Sequence, residues 1–468
     1  MRLKSIFTNS FGILISRITG FFRDALMASA LGASVYTDIF VVAWKLPNLF
    51  RNIFAEGAFT QAFMPSFVAS RNKGVFATAI FIRFMLFLVF GSLIVTLFPE
   101  FVTKLLAVGW SEETIVKAAP LTATYFWYLD LVFIVTFIAT LLQYREHFMT
   151  TAVSTALLNL SMITALLVTM HEKPKVVAYA LGIAILLGGV LQVLAHLYTL
   201  HKINLHPLLI GGWKYRNRKD VSLEKKKFNS LFIPALWGNS TTQINSFVGT
   251  MLASFLVTGS ISYLFFAQRL FQLPLALFAI ATATALFPSI SKSLKNNKEK
   301  EAYQHLNQAF WLLTFSLGIA MVGAIVLAEP IIWLLFERGK FSVLATQQTA
   351  QVLMGYMLGL LPLGLAKLFS LFLYASHRQG KAAKIATISV VVNIAASLLL
   401  MKPYGALGLA LAGSLGGWVL FILTVREVGS QKFFAIIKSK KSFYFVLTLV
   451  VTFVLLYGLN SWILTLIR

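Results

Sequence analysis

Apolar runs of about 20 residues, each long enough to cross the hydrocarbon core of a bilayer, recur along the whole chain between short polar and basic stretches. The pattern predicts thirteen membrane-spanning helices, over 5–30, 36–69, 75–98, 114–144, 148–170, 176–200, 228–256, 260–291, 302–328, 345–375, 382–401, 404–425 and 443–466. The alternation that a transmembrane β-barrel needs is absent. The longest polar interruption, 201–227, ends in Glu224-Lys225-Lys226-Lys227 and divides the spans six and six, with one over. The expected fold is an all-α polytopic membrane protein with an N-terminal lobe over 1–200, a basic cytoplasmic linker over 201–227, a C-terminal lobe over 228–430 and an extra helix over 431–468.

The two lobes carry a repeat. The second span contains Ala43-Trp44-Lys45-Leu46 and then Met64-Pro65-Ser66-Phe67; the eighth contains Ala267-Gln268-Arg269-Leu270 and then Phe287-Pro288-Ser289-Ile290. Each copy has a cation, an inner proline (Pro47, Pro274) and a basic loop after it. Copies separated by an even number of spans share their orientation, so the axis relating them runs along the membrane normal. Each inner proline removes a backbone donor and predicts a kink.

The stretch Asp38 to Pro65 is the most unusual in the chain, because it is apolar enough for a bilayer yet carries Asp38, Lys45, Arg51 and Glu56. A charge at bilayer depth costs roughly 2.5–3.5 kcal/mol on insertion scales, so such residues face a bundle interior or a wet cavity. At 100° per residue, Asp38, Lys45, Asn52 and Glu56 fall within roughly 40° of one another, with Arg51 off that stripe. Such a stripe is either a polar path through the membrane or a seam that joins helices. In the first span Arg17 and Asp24 share a face and could pair locally, whereas Arg23 points elsewhere and lacks a local partner. Arg83 lies two turns into the third span, within reach of the membrane surface by snorkelling. Asp130 and Lys367 sit deeper, and either is a candidate structural partner. Glycines such as Gly182, Gly188, Gly405, Gly408 and Gly417 fit close helix approach.

Composition sharpens the class. The chain of 468 residues is 58% hydrophobic and only 12% charged, far from the composition of soluble domains. Its formal net charge of +24 would suggest nucleic acid in a soluble protein, but position decides otherwise. With a cytoplasmic N-terminus, 25 of the 40 basic residues fall in inside segments and 8 in outside ones, which orients the chain by the positive-inside rule and, with an odd number of spans, places the C-terminus outside. The first span carries Arg17, Arg23 and Asp24 and no small-residue cleavage site, so it reads as a retained helix.

Enzyme signatures are missing. There is no cysteine, no GxxxxGK[ST] loop and no HExxH pair, and the spacing of His196 and His201 is off the usual metal-binding face, so neither a metal nor a cofactor is expected. The excess of cations inside the bilayer, above all Arg17, Arg23, Arg51 and Arg269, suits an amphiphile with an anionic head group, because guanidinium forks match phosphate oxygens bidentately.

Two blocks, SRITGFFRDALMASALGASVYTDIFVVAWKLPNLFRNIFAEGAFTQAFMPSF over 16–67 and RLFQLPLALFAIATATALFPSISKSL over 269–294, resemble the MurJ (MviN) lipid II flippases of the multidrug/oligosaccharidyl-lipid/polysaccharide exporter superfamily. The resemblance implies a V-shaped pair of six-helix lobes around a cationic cavity. It further implies alternating access that carries undecaprenyl-pyrophosphate-linked peptidoglycan precursor across the inner membrane, without enzymatic chemistry. Arg17, Arg23, Arg51 and Arg269 fall on the family's cavity arginines, and Asp38, Lys45, Glu56 and Lys367 on its other functional charges. Departures are the thirteenth span as the last, Gln268 before Arg269, an alanine-rich stretch from Ala276 to Ala285, and Gly249 and Ser397 where some members carry acidic residues of a sodium site, which is not carried over. Competing readings are an exporter of another polyprenyl-linked glycan and a membrane glycosyltransferase acting on the same lipid.

Overall fold

The computed structural model describes the backbone of residues 3–217 and 220–467, and the side chains of these residues apart from 3–11, 13, 53–56, 237–242 and 466–467. Arg2, Arg218 and Lys219 of the basic inside segments and the side chains of Lys4 and Glu56 thus lie outside the described residues. The described chain is helical throughout, and its helices fall into two compact units, Met1–Met251 and Leu252–Arg468.

In the first unit, α1 (Leu3–Leu31), α2 (Val35–Phe50), a π-helical segment (Arg51–Ala58) and α3 (Phe59–Ala69) are followed by α4 (Lys73–Leu97), α5 (Pro99–Leu106), α6 (Glu112–Phe126) and α7 (Tyr128–Tyr144). Next come α8 (Met149–Thr169), α9 (Pro174–Lys202), a short α10 (His206–Lys214) and α11 (Ser222–Ala253). The core of this unit is aromatic. Phe59, Phe63 and Phe67 form a stacked ladder along α3 at 5.2 and 5.3 Å, and Phe84, Phe133 and Phe228 meet Phe59 edge-on. Through Phe228 the first half of α11 packs on α3 and α4. The contact division falls between Met251 and Leu252, within the last turn of α11, so most of α11 groups with the first unit.

The second unit contains α12 (Ser260–Pro274), a second π-helical segment (Leu275–Ile280), α13 (Ala281–Lys295), α14 (Glu299–Val326), α15 (Ala328–Phe336), α16 (Val343–Met357), α17 (Leu360–Ala375), α18 (Gln379–Ile437) and α19 (Lys441–Ile467). The helix α18 is 59 residues long but not continuous: Gly405 (φ 56°) and Gly429 (φ 134°) leave helical geometry in the positive-φ region that suits glycine. The break at Gly405, two residues after Pro403, separates the spans expected over 382–401 and 404–425. A Cβ on Gly405 would meet nothing, so this glycine serves the bend and not close packing, in contrast to the expectation. Gly408 and Gly417 do serve close approach, since a Cβ there would lie 2.1 Å from the Leu400 carbonyl and 2.7 Å from Leu363. Lys432 ties the segment beyond the second break to α14 through Glu299 at 3.0 Å.

Nine helices among the described residues are long and apolar enough to cross a membrane. Expected spans 114–144 and 345–375 are each interrupted once, at Trp127 and at Leu358–Gly359. The two π segments follow the inner prolines of the repeat. Pro47 lies four residues before the first and Pro274 immediately before the second, so a widened turn follows the proline in both units.

Candidate functional site

Arg23 is held on three sides. Its Nε and Nη2 donate to Asp24 Oδ1 at 3.0 and 2.6 Å, and its Nη1 donates to Asn159 Oδ1 on α8 at 2.9 Å. Asn159 in turn donates to the Ser16 carbonyl at 3.0 Å and to Thr19 Oγ1 at 3.1 Å, which fixes its amide orientation. Asp24 is 3% exposed, and a buried carboxylate requires such a counter-charge. The sequence reading left Arg23 without a local partner and offered Asp24 to Arg17; the structure reverses this. Neighbouring residues on a helix do not normally face each other, but the arginine side chain is long enough to fold back on the adjacent carboxylate. Arg17 is exposed and makes no ion pair among the described residues.

Asp38 is buried in the first turn of α2, where the helix dipole favours a carboxylate. Two members of the expected stripe meet α11: Lys45 Nζ donates to Ser246 Oγ at 2.7 Å, and Asn52 Nδ2 donates to Gln243 Oε1 at 3.4 Å. Arg51, off the stripe, opens the π segment and is half-buried, with Nη2 3.2 Å from Asn48 Oδ1. It lines a cavity of about 110 Å³ within the first unit, together with Thr60, Tyr128, Thr136, Thr140 and Gln143. No acidic side chain among the described residues lines that cavity. Its walls are tied by a Thr60–Thr140 hydroxyl contact at 3.2 Å and by Tyr128 donating to Gln192 at 3.1 Å.

In the second unit Arg269 is half-buried on α12, five residues before Pro274, with its guanidinium 4.7 Å from the centre of the Phe265 ring. Lys367 is exposed on α17, three residues past Gly364, where a Cβ would meet Leu317 at 2.2 Å. Ser397 Oγ lies 3.5 Å from Asn393 Oδ1, and no group of three or more metal-ligating side chains occurs among the described residues.

Other polar groups of the apolar helices make contacts within the fold. Arg83 is exposed and donates to Asn229 at 3.0 Å. Ser92 donates to Asp130 at 2.5 Å between α4 and α7. His196 is fully buried, bonded to the Gln192 carbonyl at 2.8 Å and lying 3.4 Å from Thr151. Sequence reasoning missed Asn159, Ser246 and Gln243. All three are uncharged, and an asparagine or serine in an apolar span carries no signal of which cation it serves.

A multi-helix fold with no strand among its described residues, paired proline-linked π segments and arginines embedded in apolar helices define a polytopic membrane transporter. The fold is shared with a multidrug resistance MATE family transporter of the MOP superfamily in its inward-facing conformation, at TM-score 0.69, 13% identity, and 90% and 96% coverage of the two chains. The chain belongs to the lipid II flippase MurJ family, whose family model matches residues 27–467. It is 49% identical over 450 residues to a probable lipid II flippase MurJ of Helicobacter pylori, covering 94% of this chain and 97% of that one. A probable lipid II flippase MurJ of Vibrio cholerae is 32% identical, with 98% and 89% covered. The solved lipid II flippase MurJ in its inward closed conformation superposes at TM-score 0.78 with 26% identity, covering 98% of this chain and 99% of that one.

Proposed function

We propose that this chain is a lipid II flippase that moves undecaprenyl-pyrophosphate-linked peptidoglycan precursor across the inner membrane by alternating access. Family membership over nearly the whole length carries the reading. Arg17, Arg23, Arg51 and Arg269 bind the pyrophosphate, and Asp38, Lys45, Glu56 and Lys367 are the accompanying functional charges. The N-terminus is cytoplasmic and the C-terminus periplasmic. Residues 1–200 and 228–430 act as two lobes joined by the 201–227 linker, and 431–468 adds a helix. Planar guanidinium forks suit a pyrophosphate because each can donate two parallel bonds, whereas an ammonium offers a point charge. The fixing of Arg23 by Asp24 and Asn159 supports this role, since a pre-oriented fork loses little freedom on binding.

Complementation of a cell depleted of its own lipid II flippase tests the reading. Wild-type chain restores growth, whereas Arg269→Lys retains the charge but loses most activity, and Arg269→Ala is only slightly worse. Failure of the wild-type chain to rescue at normal membrane levels overturns the assignment. Full rescue by lysine at positions 17, 23, 51 and 269 overturns the bidentate clamp.

A further inference from the structure

The helix α10 lies between the last residue of one candidate span, Lys202 of α9, and the first of another, Lys73 of α4, which places it at the membrane–water boundary. Two glycines pin it there. A Cβ on Gly74 would come within 2.3 Å of the Leu208 carbonyl oxygen, and one on Gly212 within 2.2 Å of the Gly74 carbonyl oxygen, so the two backbones touch. At 100° per residue, Leu208 and Gly212 face α4, while Ile210 and Lys214 fall on the opposite side and Trp213 on the flank.

The exposed surface of α10 and of the residue that follows it is apolar and aromatic. Ile210 is 63% exposed, Trp213 58% and Tyr215 42%. It is fringed by cations held on the rings: the Arg216 guanidinium lies 3.9 Å from the centre of the Trp213 ring, and Lys214 Nζ 5.8 Å from that of Tyr215. The carboxylates that follow are engaged elsewhere. Asp220 accepts from the Ser222 amide at 2.9 Å and its hydroxyl at 2.8 Å, and Glu224 accepts from Ser70 at 3.2 Å.

We propose that α10 is an interfacial lipid site, in which Ile210, Trp213 and Tyr215 seat in the headgroup region and Lys214 and Arg216 bind the phosphodiester of an anionic phospholipid. Tryptophan and tyrosine favour that depth, and their rings hold the two cations beside it. Basic residues at a membrane surface prefer anionic over zwitterionic lipid. The occupant is a lipid and not a soluble acidic protein, because exposed apolar and ring surface and ring-held cations occur together over 210–216, at the level where the spans end.

The chain contains no cysteine, so an environment-sensitive fluorophore on Ile210→Cys reports on α10 alone. The full chain, reconstituted in phosphatidylcholine vesicles, is titrated with phosphatidylglycerol. A saturable blue shift of the label is expected, and Lys214→Gln/Arg216→Gln should require ~30-fold more anionic lipid for half the response. An equal response in both lipids, or an unchanged midpoint in the double variant, overturns the proposal. So does the same shift in pure phosphatidylcholine on addition of inorganic phosphate or an acidic peptide. If the double variant misassembles, salt carries the test on the otherwise unaltered labelled chain. The shift must collapse as ionic strength screens the surface, and its persistence at about 1 M salt overturns the site.

Discussion

Arg23, Asp24 and Asn159 show how an embedded charge is made tolerable. The carboxylate supplies the counter-charge, and the amide supplies a second acceptor from a helix 136 positions away in sequence. The charges themselves were legible in the sequence, because an arginine in an apolar span is conspicuous. Their partners were not, since helical phase ranks neighbours within one helix and says nothing of which distant helix packs alongside. The same gap explains why Lys45 found Ser246. Outside the spans, His147 stands in the connection between α7 and α8, bonded to Thr150 at 2.8 Å. Burial, and then the nearby Lys202 charge, hold its imidazole below the ordinary value of 6.5. The unfolded chain therefore takes up this proton at a higher pH than the folded one, so the stability contribution is complete above about pH 6.5 and is lost as pH falls from there towards the folded value. The thermal midpoint of the purified chain should fall between pH 7 and pH 5, and His147→Gln should make that fall shallower. An equally steep fall in the variant would remove His147 from the account.

Elements were the most legible scale. Long apolar runs with polar punctuation located the helices and separated 382–401 from 404–425, although the sequence pattern assigns Gly405 to close packing and not to the break inside α18. The π segments were not legible beyond a kink, because a proline states that one backbone bond is lost without stating how the next turns absorb the loss. Their position is informative: the first begins at Arg51, and both follow the prolines that the repeat pairs. The widened turn sets the direction of Arg51 towards the polar cavity of its unit. Pro47→Ala restores the amide and should allow a regular helix, turning Arg51 away and lowering transport by about tenfold, equivalent to about 1.4 kcal/mol. Pro65→Ala, in the regular α-helix α3, is the control and should leave transport nearly unchanged. Equal effects of the two substitutions, measured in the same vesicles, would show that the π turn has no special role. The short helix α10 escaped the sequence reading because nine residues of mixed character inside a basic linker have no span-length signal. Only the contact of Gly74 with Gly212 reveals why it is ordered.

At the scale of the whole molecule, the positive-inside distribution predicts the orientation, and the contact division gives the units. All of α11 but its last two residues falls in the first unit, while the sequence pattern sets the linker before it as the lobe boundary. That difference has a physical source: Phe228, Phe232 and Asn229 bond α11 to α3 and α4, and none of these contacts can be read from polarity along the chain. A reporter inserted near Lys219 should appear on the cytoplasmic side and one fused after Arg468 on the outer side. Both on one side would contradict thirteen spans. The central claim is transport of the lipid-linked precursor itself. Its most direct test is the exposure of the precursor head group to a membrane-impermeant reagent on the outer face of cells as the chain is depleted. Exposure should fall while total precursor stays constant or rises, and it should return when the wild-type chain is restored but not when Arg269→Ala is supplied. Undiminished exposure after complete depletion, in cells with no second flippase, would contradict the account.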